Sequence, residues 1–158
     1  MPSGDELEHI PDIALPRDDI PEGFSPHFRK SKVTDPWEPL YSRQLPQAVQ
    51  IGVRLRDVHC NSRGFVHGGV IAALADNAMG LSFAQALGAL AEPPEGRAGS
   101  SVTIGLNVDF VAMAKTGQWL QIEPRVVKAG RSLGFVDALI TADGKIAARA
   151  NATFRVVS

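Results

Sequence analysis

Between Arg63 and Glu92 one full charge, Asp76, interrupts the run GFVHGGVIAALADNAMGLSFAQALGALA. A helix-length segment of Ala, Leu, Ile, Val, Phe and Met without Lys or Glu offers no solvated face, and it reads as a helix buried on most sides. An ionised carboxylate stranded there costs at least several kcal/mol unless it is paired or hydrogen-bonded. The same segment opens with His67-Gly68-Gly69, which leaves bare backbone N–H groups at the positive end of the helix. A carboxylate can take a proton from water or attack a carbonyl, and amide donors at a helix start can hold the negative oxygen that results. The pairing of the two on one element suggests a hydrolytic site.

The elements that must position these groups follow from pattern. Eight of the 11 prolines lie in residues 1–46 and seven of the 17 acids in residues 1–22, so residues 1–36 read as an acidic, Pro-rich arm that drapes over a domain spanning 37–158. A strand is expected near Pro39–Gln44, and a second across Ala48–Val58, where Val49, Ile51, Val53 and Leu55 alternate with Gln50, Gly52, Arg54 and Arg56. The loop His59–Val66, the long helix and a Gly/Pro-bounded loop at 88–99 follow.

Thereafter the period is two. Val102, Ile104, Leu106 and Val108 share a face; Leu120, Ile122 and Val126 do so across Pro124, which argues for an edge or a bulge. Phe135 to Ile140 makes a third strand. In the last, Ile146, Ala148, Ala150, Ala152, Phe154 and Val156 point inward, the alanines leaving room for a helix. Turns at Lys115-Thr116-Gly117, Ala129-Gly130-Arg131 and Ala142-Asp143-Gly144 predict a four-stranded antiparallel meander. The expected class is α+β, one long central helix wrapped by a curved antiparallel sheet.

Composition narrows the functions. With 158 residues, net charge −1, 44% hydrophobic and 21% charged residues, the chain has no basic excess for nucleic acid. The lone Cys60 excludes an internal disulfide and suits a reducing compartment. No signal-like leader and no uninterrupted membrane-length run is visible, so a cytoplasmic protein is expected and Asn151-Ala152-Thr153 reads as a chance sequon. His59, Cys60 and His67 match no zinc spacing, so no metal is expected. Nucleophile-elbow, P-loop and dinucleotide motifs are absent from the sequence.

The stretch Asn61-x-x-Gly64-x-x-His67-Gly68-Gly69, with Asp76 seven residues beyond Gly69, resembles the signature of the hotdog-fold acyl-CoA thioesterases, nearest the phenylacetic-acid-degradation type and related to 4-hydroxybenzoyl-CoA thioesterase. The resemblance covers about residues 45–156, including Asn107-Val108-Asp109-Phe110 and Lys128-Ala129-Gly130-Arg131-Ser132. It implies hydrolysis of acyl-CoA without metal or cofactor, in a homodimer that pairs two sheets edge to edge and often assembles further into a dimer of dimers.

On this reading Gly68 N–H binds the thioester oxygen, and Asp76 acts as general base or nucleophile. The two are eight residues apart, ~12 Å along a helix, so one helix cannot bring both to one carbonyl. Two antiparallel copies can, which makes a site shared between subunits. Asn61 would orient the water or the thioester, as the family's matching asparagine does, or else only form a turn. His67 would donate toward the thioester sulfur or hold Asn61. Thr103 aligns with a position where relatives carry a serine that holds the water. Arg63, Lys128 and Arg131 are candidates for the CoA phosphates, and Leu74, Met79 and Phe110 for an acyl tunnel between subunits. Two alternatives stand beside hydrolysis: a hotdog dehydratase or hydratase, and a non-catalytic acyl-CoA binding or sensing protein.

Overall fold

The computed structural model describes residues 19–88 and 100–157. In chain order it contains β1 (Ser25–Pro26), β2 (Tyr41–Leu45), β3 (Ala48–Arg54), helix α1 (Gly68–Ala86), β4 (Ser100–Phe110), β5 (Trp119–Ala129), β6 (Leu133–Ala142) and β7 (Lys145–Val157), with short 3-10 turns at Asp35–Trp37 and Asp57–His59. One antiparallel sheet runs β1-β2-β3-β5-β6-β7-β4. Helix α1 lies on its inner face, and Leu74, Ala75, Ala78, Met79 and Phe83 join Val49, Ile51, Leu120, Ile122, Ile140 and Phe154 in the core. This is the hotdog arrangement. Small residues make the close approach possible: Ala148, Ala150 and Ala152 of β7 are all buried beneath the helix layer. A Cβ on Gly134 would fall 2.2 Å from the Phe83 ring. The helix stops at Leu87, and Gly88 then takes φ +76°, a left-handed ending that an L side chain resists. Among the described residues no helix is long and apolar enough to cross a membrane.

The long helix and the strand periods lie where the sequence pattern puts them, but the topology corrects the four-stranded meander. Only β5, β6 and β7 follow as hairpins, while β4 pairs with β7 at the far edge. The segment after β4 is not a tight turn. It passes the helix start, where Val66 N–H bonds Ala114 C=O, Leu55 N–H bonds Gln118 C=O and Gly117 N–H bonds Leu55 C=O, and so delivers β5 to β3. The β3 strand ends at Arg54, short of the expected Val58, because residues 57–59 tighten into a 3-10 turn.

Two bulges also shift sidedness. The β4–β7 register slips between Thr103 and Gly105, so Thr103, Leu106, Val108 and Phe110 oppose the buried row Phe154, Ala152, Ala150 and Ala148. Val102 therefore does not share a face with Leu106 and Val108 as its alternation predicts. A second slip, between Ile140 and Thr141, leaves Ile146 exposed and buries Ala147 instead. Pro124 sits where the β3 ladder has ended, and a bulge follows between Val126 and Lys128, in keeping with its missing N–H.

The polar side of β3 is covered. Gly52 presses on the Trp119 ring, Phe24 meets Trp119 edge-on at 5.2 Å, and Arg43 stacks over Phe24. Residues 19–36 thus pack on the sheet through β1, Phe24, and Arg43 to the Glu22 carbonyl. The expectations for residues 1–18 and most of the 88–99 loop lie outside the described residues.

Candidate active site

Helix α1 carries two groups of site residues, one at its start and one halfway along. At the start, residues 60–66 form a closed loop. Asn61 N–H bonds Phe65 C=O at 2.7 Å, and Gly64 N–H bonds Asn61 C=O. Asn61 Oδ1 accepts from Arg63 N–H and Phe65 N–H at 3.0 and 3.2 Å. Its amide oxygen is therefore used in a turn, which leaves Nδ2 as the end able to reach a ligand. His67 is the N-cap: its Nδ1 accepts from Gly69 N–H at 2.9 Å. A neutral ring then carries its proton on Nε2, as a donor. His67 does not hold Asn61, contrary to one of its two expected roles.

Gly68 N–H makes no hydrogen bond among the described residues, while the next three amides are taken: Gly69 by the His67 ring, Val70 and Ile71 by the His67 carbonyl. The unspent donor is therefore at 68. Both glycines also have packing reasons. A Cβ on Gly69 would sit 2.9 Å from His67 Nδ1, and one on Gly68 would sit 2.9 Å from Cζ of Phe110. The space before Gly68 is thus occupied by this chain's own Phe110 ring, which is 58% exposed and free to turn.

Two turns further, Thr103 Oγ1 donates to Asp76 Oδ1 at 2.7 Å. The bulge after Thr103 is what points this hydroxyl at the helix. Asp76 forms no ion pair among the described residues, so it is not the structural partner of an arginine. It is also less secluded than its sequence context predicts. Asp76 is half-buried, along with Ala72, Ala73, Asn77 and Gly80, which form a stripe of small side chains; Thr103 of β4 reaches Asp76, and the Phe154 ring of β7 lies 3.5 Å from where a Cβ on Gly80 would sit. The expected burial on most sides holds, since every residue from Val70 to Gln85 is buried or half-buried.

Other assignments divide. Leu74 and Met79 are wholly buried in the core, so they line no surface groove, whereas Phe110 is exposed beside Gly68. Arg63 sits at the helix start, whereas Lys128 and Arg131 lie around the β5–β6 turn, near Gly134, whose neighbour is Phe83 at the far end of the helix. Roughly 27 Å of helix at 1.5 Å per residue separates those ends, so one chain does not gather the three cations. All three are exposed.

Sequence reasoning weighed His59 only as a metal ligand, which its spacing excluded, and passed over His27. His59 is wholly buried, its Nδ1 accepting from Arg56 N–H and its Nε2 donating to Trp37 C=O, both at 2.9 Å. Burial lowers its pKa, partly offset by the Trp37 carbonyl. His27 is buried with neither ring nitrogen partnered, and burial lowers its pKa against the pull of Glu38. For His59 the sequence held a clue, a histidine two residues before Asn61; for His27 it held none.

A family model described as the thioesterase superfamily matches residues 63–147. A Pseudomonas aeruginosa protein whose name assigns it to the esterases is 36% identical over 138 residues, covering 87% of this chain and 97% of the relative. Human acyl-coenzyme A thioesterase 13 is 29% identical over 110 residues, 68% of this chain and 72% of its own. Among solved structures, a Streptococcus mutans protein bound to acetyl CoA superposes with a TM-score of 0.66 at 25% identity, over 84% of this chain and 95% of that one.

Proposed function

The chain belongs to the thioesterase superfamily, and from that premise we propose that it hydrolyses acyl-CoA thioesters to a free acid and CoA at a site shared by two copies. One observation carries the reading. The chain splits its chemistry into two half-sites on α1, the Thr103–Asp76 pair and the unspent Gly68 N–H, with ~12 Å of helix between them. A base and an oxyanion donor must lie within ~3 Å of the same reacting centre. Neither half suffices alone, and a two-fold axis that sets one helix antiparallel to its twin joins complementary halves.

The surface available for that pairing is β4. It is the edge strand, 11 residues long, and Val102, Ile104, Leu106 and Phe110 are more than 40% exposed. A long apolar edge invites pairing with another strand, and a second β4 covers it. The small-residue stripe of α1 lies beside it and would be buried with it.

In the joined site, Asp76 takes a proton from water while Thr103 holds the carboxylate in place. The water oxygen attacks the thioester carbonyl carbon, and the oxygen that becomes negative is received by Gly68 N–H of the other copy at the positive helix end. The intermediate collapses, the C–S bond breaks, and the proton on Asp76 passes to the sulfur, giving acid and thiol. Asn61 Nδ2 and the His67 Nε2–H face the substrate from the Gly68 side. An antiparallel pairing also sets Arg63 of one copy toward the helix end that carries Lys128 and Arg131 of the other, so both could serve the CoA phosphates. No cofactor enters the scheme. Asp76 is partnered by a threonine and not by a histidine, which counts against the acid/base pairing of a dehydratase.

The test is thiol release across short, long and arylacetyl CoA esters, with product analysis. Free CoA supports the proposal; an enoyl thioester, or tight binding without thiol release, replaces it. For the shared site, Asp76→Asn and Gly68→Pro chains, each inactive, are mixed. Partial recovery is expected, and none despite verified subunit exchange overturns the sharing.

A further inference from the structure

The loop that carries Asn61 leaves the core at His59 and returns at His67. Its base is closed by one hydrogen bond, His67 N–H to His59 C=O at 2.9 Å. His67 in turn caps the helix through Gly69 N–H, and that cap sets the direction of the neighbouring Gly68 N–H. Whatever fixes His59 therefore fixes the entry to the helix.

His59 is held on every side. Its own N–H bonds Arg56 C=O at 3.0 Å, its Nδ1 accepts Arg56 N–H, and its Nε2 meets Trp37 C=O. An acceptor Nδ1 and a donor Nε2 are satisfied together only by the neutral ring with its proton on Nε2. The ring therefore welds three parts: the segment before β2, the turn after β3, and the loop before α1. It touches none of the groups assigned to the chemistry.

We propose that His59 is a positioning residue, whose imidazole clamps the helix-entry loop so that Gly68 N–H and Asn61 Nδ2 are held at the reacting carbonyl. The inference rests on the thioesterase reading for its catalytic consequence, not for its structural one. A clamp that aims a donor differs from a core histidine that merely packs. Loosening the first lowers kcat more than it raises KM, because the aimed donor acts on the reacting carbonyl while Arg63 of the same loop is only one of three cations proposed for CoA. Misplacement of a donor by about 1 Å costs up to about a hundredfold.

The experiment compares His59→Ala, His59→Asn and wild type by kinetics and by amide spectra of the full-length protein. His59→Ala is expected to lower kcat about 10- to 100-fold, with a much smaller rise in KM. In its spectrum the His67, Gly68 and Gly69 amides shift, while Thr103 keeps its position. Asparagine can still accept from Arg56 N–H, so His59→Asn recovers a large part of kcat; it also serves as the test should the alanine variant fail to fold. Ring nitrogen spectra of the wild type should show a proton on Nε2 alone.

Folded His59→Ala with wild-type kcat, an unmoved Gly68 amide, or a ring protonated on Nδ1 overturns the proposal. If wild type releases no thiol from any acyl-CoA, the thioesterase reading fails, yet the amide shifts still decide whether His59 holds the helix entry.

Discussion

Proline at position 68 replaces the N–H of the proposed chemistry with a ring carbon and asks little of the fold. His67 has φ −70° and ψ 133°, the extended conformation a residue before proline prefers, and position 68 is the first of the helix, where proline is well tolerated. The deleted N–H makes no hydrogen bond among the described residues, so the fold loses none there. The added Cβ would approach Phe110 Cζ to 2.9 Å, but that ring is more than half exposed and can swing aside. Gly68→Ala introduces the same Cβ and keeps the N–H, so the ratio of the two variants reports the replacement of the donor by the proline ring carbon. Losing one oxyanion donor typically costs about 2.7–4 kcal/mol, or 10²–10³ in kcat. In a continuous thiol-release assay Gly68→Pro should therefore fall about 10²–10³ below Gly68→Ala in kcat, with KM close between them. Equal kcat values in two folded variants would remove Gly68 N–H from the mechanism.

Further expectations follow from the same geometry. Asp76→Asn keeps an acceptor for Thr103 but no base, so thiol release should fall at least about 100-fold, while a charge-assisted bond becomes neutral at about 1 kcal/mol; a melting temperature lowered by more than about 10 °C would mean a mainly structural Asp76. Thr103→Val deletes a 2.7 Å hydrogen bond to that carboxylate and should lower kcat about tenfold. The double variant should then be no slower than Asp76→Asn, and additive losses would show that the two act separately. Ile104→Lys places a charge on the exposed β4 edge and should yield an inactive monomer by sedimentation; an active dimer would dismiss the β4 interface. His27→Leu removes two unpartnered buried nitrogens and should stabilise the fold by about 1 kcal/mol. It should also flatten the pH dependence. Above pH 6.5 the ring is neutral in both states; below it the unfolded chain takes up a proton that the buried ring resists. Stability then falls with pH by up to about 1.4 kcal/mol per unit for each such ring, levelling off once the lowered native pKa is passed. Urea midpoints between pH 7.5 and 5 that fall equally in both proteins would contradict this.

The features readable in the sequence are those set by local rules. A helix with one acid and a diglycine start, and strands of period two, follow from side-chain direction alone, and they located Asp76, Gly68 and His67 on the right element. Strand order did not follow, because the choice of β7 over β5 as partner for β4 depends on where residues 111–118 cross the helix start. The two bulges were invisible for a related reason: alternation shows a period but not a skipped residue, so Val102 and Ile146 were assigned to faces they do not occupy. Burial of Asp76 was over-read because an apolar helix can be apolar for a neighbour that lies outside its own chain. The anchoring of His59 was not legible because its partner, Trp37, is 22 residues away.

The bulge at Ile104 joins the fold to the chemistry. In an unbroken strand Thr103 would share the face of Asn107 and Asp109, which oppose Asn151 and Arg149 on the outside of the sheet, and its hydroxyl could not reach α1. One extra residue reverses that parity and places Thr103 opposite buried Phe154, 2.7 Å from Asp76. The same residue leaves Ile104 55% exposed on a free strand edge. An irregularity that aims the Thr103 hydroxyl at Asp76 and an apolar side chain outward ties the proposed site to its proposed interface. In the proposed dimer a second copy seated on β4 would cover this edge and bring its own helix start to the Asp76 carboxylate.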